Sequence, residues 1–365
     1  MKIAIGGDVS ITDFSASNFA NADEKAAFNN VLDYFRQSDR VIVNLECALT
    51  ESENRIKKFG PNLKAPKSTA DTLLKAGVTD CALSNNHIFD FGIEGLKDTI
   101  DELNRVGINW TGIGENYEDS RKNQIIVQDG ITIAIVDVCE HEYTYATENR
   151  IGARPFDEFE TMDDIREAKK SADYVIVIYH GGKEHCRYPS PRLLKACREM
   201  AKCGADVVLC QHSHIIGAYE KYENCHILYG QGNFHFVKET HPSSGWDDGL
   251  IVMLDITKQK IDIDFVPITK AGNGIDIADE ERTKNIMDGF WKRSEMLHTG
   301  EWKDGWREFC KSVEKSYRSN FCGFDINDDI EKFQIIAHRI DCEAHCDVLR
   351  EIFPTWNMTN ELDKM

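Results

Sequence analysis

The chain has 365 residues and a formal net charge of -19, from 43 basic and 62 acidic side chains. Hydrophobic residues make up 41% of it, which is enough for a large buried core and excludes a disordered or fibrous protein. Because the acidic surplus repels phosphate and anionic lipid, we expect no nucleic-acid partner, and an anionic substrate would need locally concentrated positive charge.

The first part of the chain alternates short apolar runs with amphipathic segments. Apolar runs predict buried strands at 3–7, 40–44, 80–84, 132–138, 174–180 and 206–212. Apolar residues at helical spacing predict helices at 24–37, 68–76, 93–106, 162–172 and 191–203. This alternation indicates an α/β fold in which parallel strands are joined by crossover helices.

The pattern changes after Gln211. Strand-like runs at 215–222, 226–229, 233–237, 250–256 and 260–267 have no helix between them and predict a second, largely antiparallel sheet. From about residue 276 the sequence becomes helical. Trp302 and Trp306 are four residues apart on one helical face, so we expect them to dock this tail rather than to form a carbohydrate or partner surface. The predicted domains are residues 1–270 and a helical extension over 271–365.

Neither export nor disulfide bonding is indicated. No run reaches the ~18 apolar residues of a membrane helix, and the apolar start breaks at Asp8, too early for a signal peptide. We therefore expect no membrane segment and a cytoplasmic location. The 12 cysteines lack a C-x-x-C pair, which favours reduced thiols. Cys342, His345 and Cys346 have no second ligand pair at a suitable spacing, so we interpret them as part of a helix rather than a zinc site.

Metal-ligand side chains directly follow five of the predicted strands. Carboxyl ends of parallel strands face one crevice, so these groups converge although they are far apart in sequence. Individually each could be a turn residue, a cap or a hydrogen-bonded histidine. Together they are costly to bury unless something binds them, which favours a mono- or dinuclear metal site. The groups are Asp8; Asn44 and Glu46; Asn85, Asn86, His87 and Asp90; His180, Glu184 and His185; and His212 and His214.

The last of these groups ends the sixth predicted strand. His212 and His214 are two residues apart, so in an extended chain both imidazoles would lie on the same side.

Six short motifs occur in order within residues 1–270: GDVS at 7–10, NLE at 44–46, SNNHIFDFG at 84–92, HGGKEH at 180–185, QHSH at 211–214 and YGQGNFHF at 229–236. Together they resemble the CapA family, the poly-gamma-glutamate capsule biosynthesis proteins, which belongs to the calcineurin-like metallophosphatase superfamily. The resemblance implies a four-layer α/β/β/α metallophosphatase-like sandwich with a C-terminal helical extension.

The resemblance also implies roles for individual residues. It implies one or two divalent metal ions, Mn, Fe or Zn, with Glu46 as the bridging carboxylate. His87 becomes the catalytic acid, supported by Asp90. The implied metal ligands are Asp8, Glu46, Asn86, His180, His212 and His214. The residues implied around them, in contact with ligands or substrate, are Asn44, Asn85, Glu184, His185 and Asn233.

Three positions depart from the family pattern. Superfamily phosphatases begin with Asp-x-His, whereas Ser10 occupies that position here, so one metal position loses an imidazole. Gly181 replaces an aromatic residue, and we expect it to leave more room in the pocket. His185 replaces another aromatic residue and adds a group that titrates near neutral pH.

These features indicate a metal-dependent hydrolase of the capsule biosynthesis type that cleaves a phosphate ester with a metal-activated water. One alternative is amide hydrolysis or transfer on a poly-gamma-glutamate-type polymer, although the charge of -19 would repel a long polyanion. Another is a non-catalytic metal-binding assembly subunit of capsule biosynthesis, which Ser10 favours. The expected partner is an anionic small molecule or polymer.

Overall fold

Two β-sheets lie face to face, and helices cover their outer faces, in a four-layer α/β/β/α sandwich. This is a computed structural model, and it describes residues 1–240, 244–322 and 330–353. The predicted fold class is confirmed, including the helices at the C-terminal end.

The first sheet has eight strands. They are β1 (Lys2–Val9), β2 (Arg40–Leu45), β5 (Asp80–Ala82), β6 (Asn109–Thr111), β15 (Asn233–His235), β16 (Asp248–Ile256), β17 (Ile261–Ala271) and β18 (Gly274–Ile277). Their order is β18-β17-β16-β1-β2-β5-β6, with β15 paired to β1. The pairs among β1, β2, β5 and β6 are parallel, and those among β16, β17 and β18 are antiparallel.

The second sheet has six strands, and two short pairs lie outside both sheets. The six are β8 (Gln124–Gln128), β9 (Ile131–Cys139), β11 (Tyr174–His180), β12 (Val207–Gln211), β13 (Tyr219–Tyr222) and β14 (Cys225–Leu228). Their order is β13-β14-β12-β11-β9-β8, with parallel pairs at the centre. The short pairs are β3 (Ala48–Leu49) with β4 (Lys64–Ala65), and β7 (Ile113–Gly114) with β10 (Gly152–Ala153).

The helices come in two groups along the chain. Those within the sandwich are α1 (Ala16–Ala20), α2 (Glu24–Phe28), α3 (Val31–Arg36), α4 (Thr69–Ala76), α5 (Gly92–Val106), α6 (Tyr117–Ser120), α7 (Glu160–Ser171) and α8 (Pro191–Cys203). The C-terminal group is α9 (Glu280–Thr299), α10 (Trp302–Asn320), α11 (Ile330–Asp341) and α12 (Glu343–Ile352). Within the described ranges, no helix has the length and apolar character that crossing a bilayer requires.

Alternation along each strand explains the layers. Ile133 and Ile135 of β9 pack with Ile176 and Ile178 of β11 in the core between the sheets. The intervening residues Ala134 and Val177 face outward into a separate core against α7 and α8. Because successive side chains of a strand point to opposite faces, these continuous apolar runs supply both layers at once.

The assignment of strands to sheets differs from the expectation. The strands after Gln211 do not form their own sheet: β13 and β14 extend the second sheet, while β15 to β18 join β1 in the first. The prediction of a separate antiparallel sheet was therefore wrong. Strand patterns predict a buried strand, but its neighbour in the sheet is chosen by tertiary packing.

One predicted helix is also broken. The segment 24–37 forms α2 and α3, which are separated at Asn29, where the backbone has a positive φ of 43°. Asn tolerates this left-handed conformation, and its side-chain amide donates to the Ile275 carbonyl at 3.0 Å. That long-range contact has no signal in the local helical pattern.

Helices α10 and α12 pack on the outer side of the second sheet, whereas α9 also contributes Ile286 and Phe290 to the core between the sheets. Trp302 and Trp306 are 5% and 1% exposed and lie in one apolar cluster with Leu193 and Cys197 of α8. Strand β18 lies beyond the predicted boundary at residue 270 and is part of the first sheet. The division into domains at 270 stays a prediction, and its second part includes residues outside the described ranges.

Candidate metal centre

Strand ends from both sheets meet at one rim of the sandwich. In the first sheet Asp8 of β1 is paired in register with Asn44 of β2 and with Asn233 of β15. In the second sheet His180 ends β11 beside Gln211, which ends β12. Strand pairing therefore places these polar groups, and the face-to-face packing of the sheets brings the two sets together.

Asp8 is fully buried and its carboxylate is well satisfied. The Asn44 side-chain amide donates to Oδ1 at 2.7 Å, and the His212 backbone amide donates to Oδ2 at 2.9 Å. Nitrogen atoms of His180 and His214 lie 3.5 Å from its two oxygens. Burial by itself would raise the pKa of Asp8, but the contact with His180 and the positive charge of both imidazoles lower it far below the usual range.

The Glu46 carboxylate, unlike that of Asp8, accepts no hydrogen bond. Its side chain is fully buried, and neither carboxylate oxygen has a hydrogen-bond partner. His180 Nε2 lies 3.4 Å from Oε1, and His214 Nε2 lies 3.9 Å from the same atom. Ligand atoms of Glu46, His212 and His214 all lie within 4.8 Å of one another. A buried carboxylate without donors, surrounded by imidazoles, fits a divalent cation because it leaves strong oxygen ligands available.

His180 is central to the cluster. Its Nε2 lies 3.1 Å from His212 Nδ1 and 3.0 Å from Asn86 Oδ1. Burial would lower the pKa of His180, but the neighbouring carboxylates Asp8 and Glu46 raise it to about 10. Burial lowers the pKa of His212 to about 4, so the two touching imidazoles differ in charge.

His214 extends the cluster towards β15. Its Nδ1 lies 3.0 Å from Asn233 Oδ1, and the Asn233 amide in turn donates to the Trp246 carbonyl at 2.9 Å. Glu184 Oε1 lies 4.0 Å from His214 Nε2. All six predicted ligands thus lie in one connected cluster, and their roles as metal ligands stay a prediction.

The backbone conformation that brings His212 and His214 together was predicted wrongly. His212 and His214 follow the end of β12 and both have positive φ, 77° and 57°, so the chain here is a left-handed bend and not an extended strand. Their ring centroids are nonetheless 5.8 Å apart. Left-handed backbone at two non-glycine residues is strained, and such strain is concentrated at functional sites.

The predicted acid pair lies beside the cluster. His87 Nδ1 is 2.6 Å from Asp90 Oδ2, which leaves Nε2 as the ring nitrogen not held by Asp90. Lys58 Nζ lies 3.0 Å from the same His87 Nδ1 and forms an ion pair with Asp90. His87 is only 8% exposed and lines a cavity of about 400 Å³. Lys58 holds the Asp90 carboxylate, and that carboxylate orients the imidazole.

Two further predicted residues, Asn85 and His185, differ in what they contact. Asn85 is structural: its amide donates to Asn44 Oδ1 and to the Leu45 carbonyl, and its Oδ1 accepts from the His87 backbone amide. His185 lines the same cavity, with its ring centroid 5.7 Å from that of Trp246.

Two of the three departures from the family pattern lie at buried positions. Ser10 is fully buried with an unpartnered hydroxyl. The expectation of extra room at Gly181 was wrong. A Cβ there would lie 2.8 Å from Glu140 Cγ and 3.0 Å from a ring carbon of Tyr179, so neighbouring side chains already fill the space.

A scan of family models identifies residues 2–238 as "Bacterial capsule synthesis protein PGA_cap". The chain belongs to this family. The resemblance predicted from the motifs is therefore confirmed for the family as a whole. The matched region contains every predicted site residue and ends before the C-terminal helices.

Two curated relatives are similar to this PGA_cap protein over just over half of its length. One is the PGA biosynthesis protein CapA of Bacillus subtilis, 33% identical over 57% of this chain and 56% of the relative. The other is the capsule biosynthesis protein CapA of Bacillus anthracis, 30% identical over 57% of this chain and 53% of the relative. The match thus spans about half the length of each relative. A solved structure of a 5'-nucleotidase precursor from Thermus thermophilus aligns with 82% of this chain and 59% of its own, at 11% identity and a TM-score of 0.45.

Sequence reasoning missed Glu142, which belongs to the centre of this PGA_cap protein. Glu142 Oε2 accepts from the Asn86 amide at 2.8 Å and lies 3.5 Å from His212 Nε2, while Oε1 is 2.6 Å from His338 Nε2. A usable signal existed, because Glu142 closely follows the predicted strand 132–138, as the other ligand groups follow theirs. Lys58 had no such signal, since it lies in a long polar loop.

The C-terminal helices reach this centre. His338 of α11 contacts Glu142, and the 400 Å³ cavity beside His87 is lined partly by residues of α10, α11 and α12. His338, Cys342 and His345 form a second buried group of possible ligand atoms, and Cys342 lies at the start of α12 rather than within a helix. Helices outside the matched family region thus form one wall of the site.

Proposed function

We propose that this PGA_cap protein is a metal-dependent hydrolase that cleaves a phosphate ester. The observation that carries the proposal is Glu46, whose two buried oxygens have no donor and which lies among three imidazoles. Burying a carboxylate that accepts no hydrogen bond is costly, so folding retains this arrangement most readily if a cation compensates it.

The donor set determines which ions fit. Imidazole nitrogens with carboxylate and amide oxygens suit Mn, Fe or Zn, so one or two such ions would be held by Asp8, Glu46, Asn86, His180, His212 and His214. A bound divalent ion would lower the pKa of a coordinated water to about 7 in a favourable site and neutralise charge on a phosphoryl group.

His87 supplies the proton to the leaving group in this proposal. Asp90 accepts a hydrogen bond from Nδ1–H, which leaves Nε2 to carry and donate the second proton. Lys58 holds the other side of the Asp90 carboxylate, so the imidazole cannot rotate freely. A positioned acid of this kind typically contributes about 100- to 10,000-fold to the rate.

A second candidate function is hydrolysis or transfer at an amide bond of a poly-gamma-glutamate-type polymer. The names of the two CapA relatives, a PGA and a capsule biosynthesis protein, favour it. The same activated water could attack an amide carbonyl. A third possibility, a metal-binding assembly subunit without turnover, is favoured by Ser10 at the position of the missing imidazole.

Two substitutions distinguish the proposed proton donor, His87, from a proposed metal ligand, His212. His87→Ala should keep the bound metal and lower turnover by about 100- to 10,000-fold, because His87 donates a proton without ligating. His212→Ala should lose metal and turnover together. The matched control is His226→Ala, since His226 is also buried but lies on β14 and pairs with Tyr219 outside the cluster. Loss of metal in His87→Ala would contradict the assigned roles.

A substrate panel separates the candidate functions. Protein purified without chelator is first analysed for metal content, and then assayed with chromogenic phosphomonoesters and phosphodiesters beside a poly-gamma-glutamate digest. Ester cleavage that disappears in both substituted proteins supports the phosphatase. Cleavage of the polymer alone would establish the amide alternative, and metal without any turnover would favour the assembly subunit.

A further inference from the structure

The cavity beside His87 is built by two separate parts of the chain. Its volume is about 400 Å³, within the range of small-molecule sites. One wall carries Asn86 and His87 from the loop after β5. Another carries Tyr317 of α10, Arg339 of α11 and His345 of α12. A ligand that fills the cavity from Asn86 to Arg339 would therefore touch both parts of the chain.

Charged groups line this cavity unevenly. Its cations are Lys58, Lys183 and Arg339, and its carboxylates are Glu142 and Glu184; His87, His185, His338 and His345 also line it. Lys58 is paired with Asp90, Lys183 lies 3.2 Å from Glu184, and Glu142 is bound by His338. Arg339 thus carries the charge that these pairs leave uncompensated.

Arg339 is held rigidly without an acidic partner. It is 7% exposed, its guanidinium lies 3.7 Å from the centroid of the Tyr317 ring, and its Nε donates to Asn320 Oδ1 at 2.9 Å. Among residues 1–240, 244–322 and 330–353, no carboxylate lies within ion-pair distance of it. A buried guanidinium without a counter-charge is costly, and its planar fork matches a carboxylate or phosphate.

The neighbouring group of His338, Cys342 and His345 does not offer a better explanation as a metal site. His345 Nδ1 lies 2.9 Å from Arg339 Nη1, and because arginine can only donate, this nitrogen must accept. The proton of neutral His345 is then on Nε2, which removes the lone pair that a metal would need. A guanidinium at this distance also repels a cation. The same contacts suit an anion.

We propose that this cavity binds a compact substrate with two anionic groups, one at the metal centre and the other at Arg339. The inference rests on the proposed function for the position of the first group, and it adds the substrate class. It also assigns the C-terminal helices to the substrate site, although they lie outside the matched family region.

The test uses two phosphonates that cannot be hydrolysed as esters. One is 3-phosphonopropionate, which carries a phosphonate and a carboxylate, and the other is propylphosphonate, which lacks the carboxylate. Binding of each to the full chain with Mn²⁺ is measured by calorimetry. We expect the carboxylate to tighten binding about 10- to 100-fold, as hydrogen bonds between charged groups do. A third compound, 1,3-propylenediphosphonate, shows whether phosphate replaces carboxylate at Arg339.

Three substitutions locate this preference. Arg339→Met keeps the aliphatic stem against Tyr317 but removes the charge, so it should bind both phosphonates as weakly as the wild type binds propylphosphonate. Arg339→Lys keeps the charge without the planar fork and should retain only part of the preference. The matched control, Arg350→Met, removes an exposed arginine of α12 that lies 3.3 Å from Asp347, and it should change neither affinity.

The outcomes separate this inference from the hydrolase proposal. The inference is overturned if the wild type binds both phosphonates equally, if neither binds, or if Arg339→Met weakens both by the same factor. Because neither compound is an ester, a preference that depends on Arg339 would stand even if no ester were cleaved. In that case the hydrolase proposal fails and the anion site remains.

Discussion

The two buried carboxylates of the centre, Asp8 and Glu46, differ in how their charge is satisfied. Asp8 accepts two amide hydrogen bonds, which orient it and fix the His212 backbone. Glu46 accepts none. A carboxylate with directed donors is held as one element of a framework, whereas one without them has its lone pairs free for a ligand. The difference indicates that Asp8 organises the centre and that Glu46 has the most to gain from a cation.

The buried carboxyl group of Asp137 should make the stability of the folded protein depend on pH. Asp137 is 1% exposed, and its Oδ2 accepts from the backbone amides of Leu83 and Ser84 at 2.9 and 3.1 Å. Burial raises the pKa of Asp137 to about 7, despite these hydrogen bonds and the charge of Arg154. The folded state therefore holds a proton that the unfolded chain releases at lower pH.

The sign follows from that raised pKa. The contribution of Asp137 is fully present below about pH 4 and is lost as pH rises through 7, with a slope of up to about 1.4 kcal/mol per pH unit. Asp137→Asn keeps an acceptor for the two amides and should remove this slope. Urea denaturation from pH 4 to 8, taken as the variant minus the wild type, measures it. Parallel curves would show that Asp137 titrates normally.

The polar residues at strand ends could be predicted because they stand in short motifs directly after apolar runs. Asp8, Glu46 and His180 could be identified this way, and the structure brings them together. Lys58 and Arg339 could not, because each enters the site from a loop or a late helix. Their positions depend on how distant elements pack, which one-dimensional patterns do not encode.

At the scale of elements, the loop after β9 holds the C-terminal helices. Glu343 at the start of α12 binds both the backbone and the ring of His141, at 2.8 and 2.6 Å. The Ala344 backbone amide donates to buried Glu140 Oε2 at 3.2 Å, which places a carboxylate near the positive N-terminal end of the helix. The same loop carries Glu142. Docking of the helices and geometry of the centre are therefore linked through one short segment.

Substitution of Trp306 tests how strongly the C-terminal helices pack against the rest of the protein. Trp306 is 1% exposed and lies in the cluster that includes α8, whereas Trp291 on α9 is 48% exposed. Trp306→Ala should destabilise the protein by about 3–5 kcal/mol, because it leaves a cavity in a packed core. Trp291→Ala is the matched control and should cost less, because about half of that side chain is already exposed. Equal effects in denaturant titrations would indicate that the helix is only loosely attached.

The strength of local patterns decided which elements could be predicted. The helix at 191–203 was predicted from its apolar spacing, and the structure has it at the same bounds. There Ser190 caps it, Pro191 follows and Gly204 ends it with a φ of 114°. The break at Asn29 and the division of the late strands between two sheets were missed. The break at Asn29 and the pairing of β15 and β16 with β1 arise from contacts between residues more than 200 positions apart, such as Asn29 with Ile275.

At the scale of the whole molecule, the centre joins the two sheets. Asp8 and Glu46 lie at the ends of strands of the first sheet, and His180 and His212 lie at the ends of strands of the second. The contacts between them cross the sandwich at its rim. In a protein with a net charge of -19, a cation at this point would also reduce the repulsion among acidic groups. An ion held by ligands from both sheets would resist their separation, and it would bind the folded chain far better than the unfolded one.

This geometry predicts that stability depends on metal. A ligand that binds only the folded state adds about 2.7 kcal/mol when its free concentration is 100 times its Kd. Wild-type protein should therefore unfold at a lower temperature after chelator treatment and recover when Mn²⁺ is added back. In Glu46→Gln this dependence should largely disappear, because the amide supplies one weak oxygen and no charge. Calorimetric melting of both proteins, with and without chelator, measures all four states, and an equal metal-dependent shift in the two would place the cation elsewhere than at Glu46.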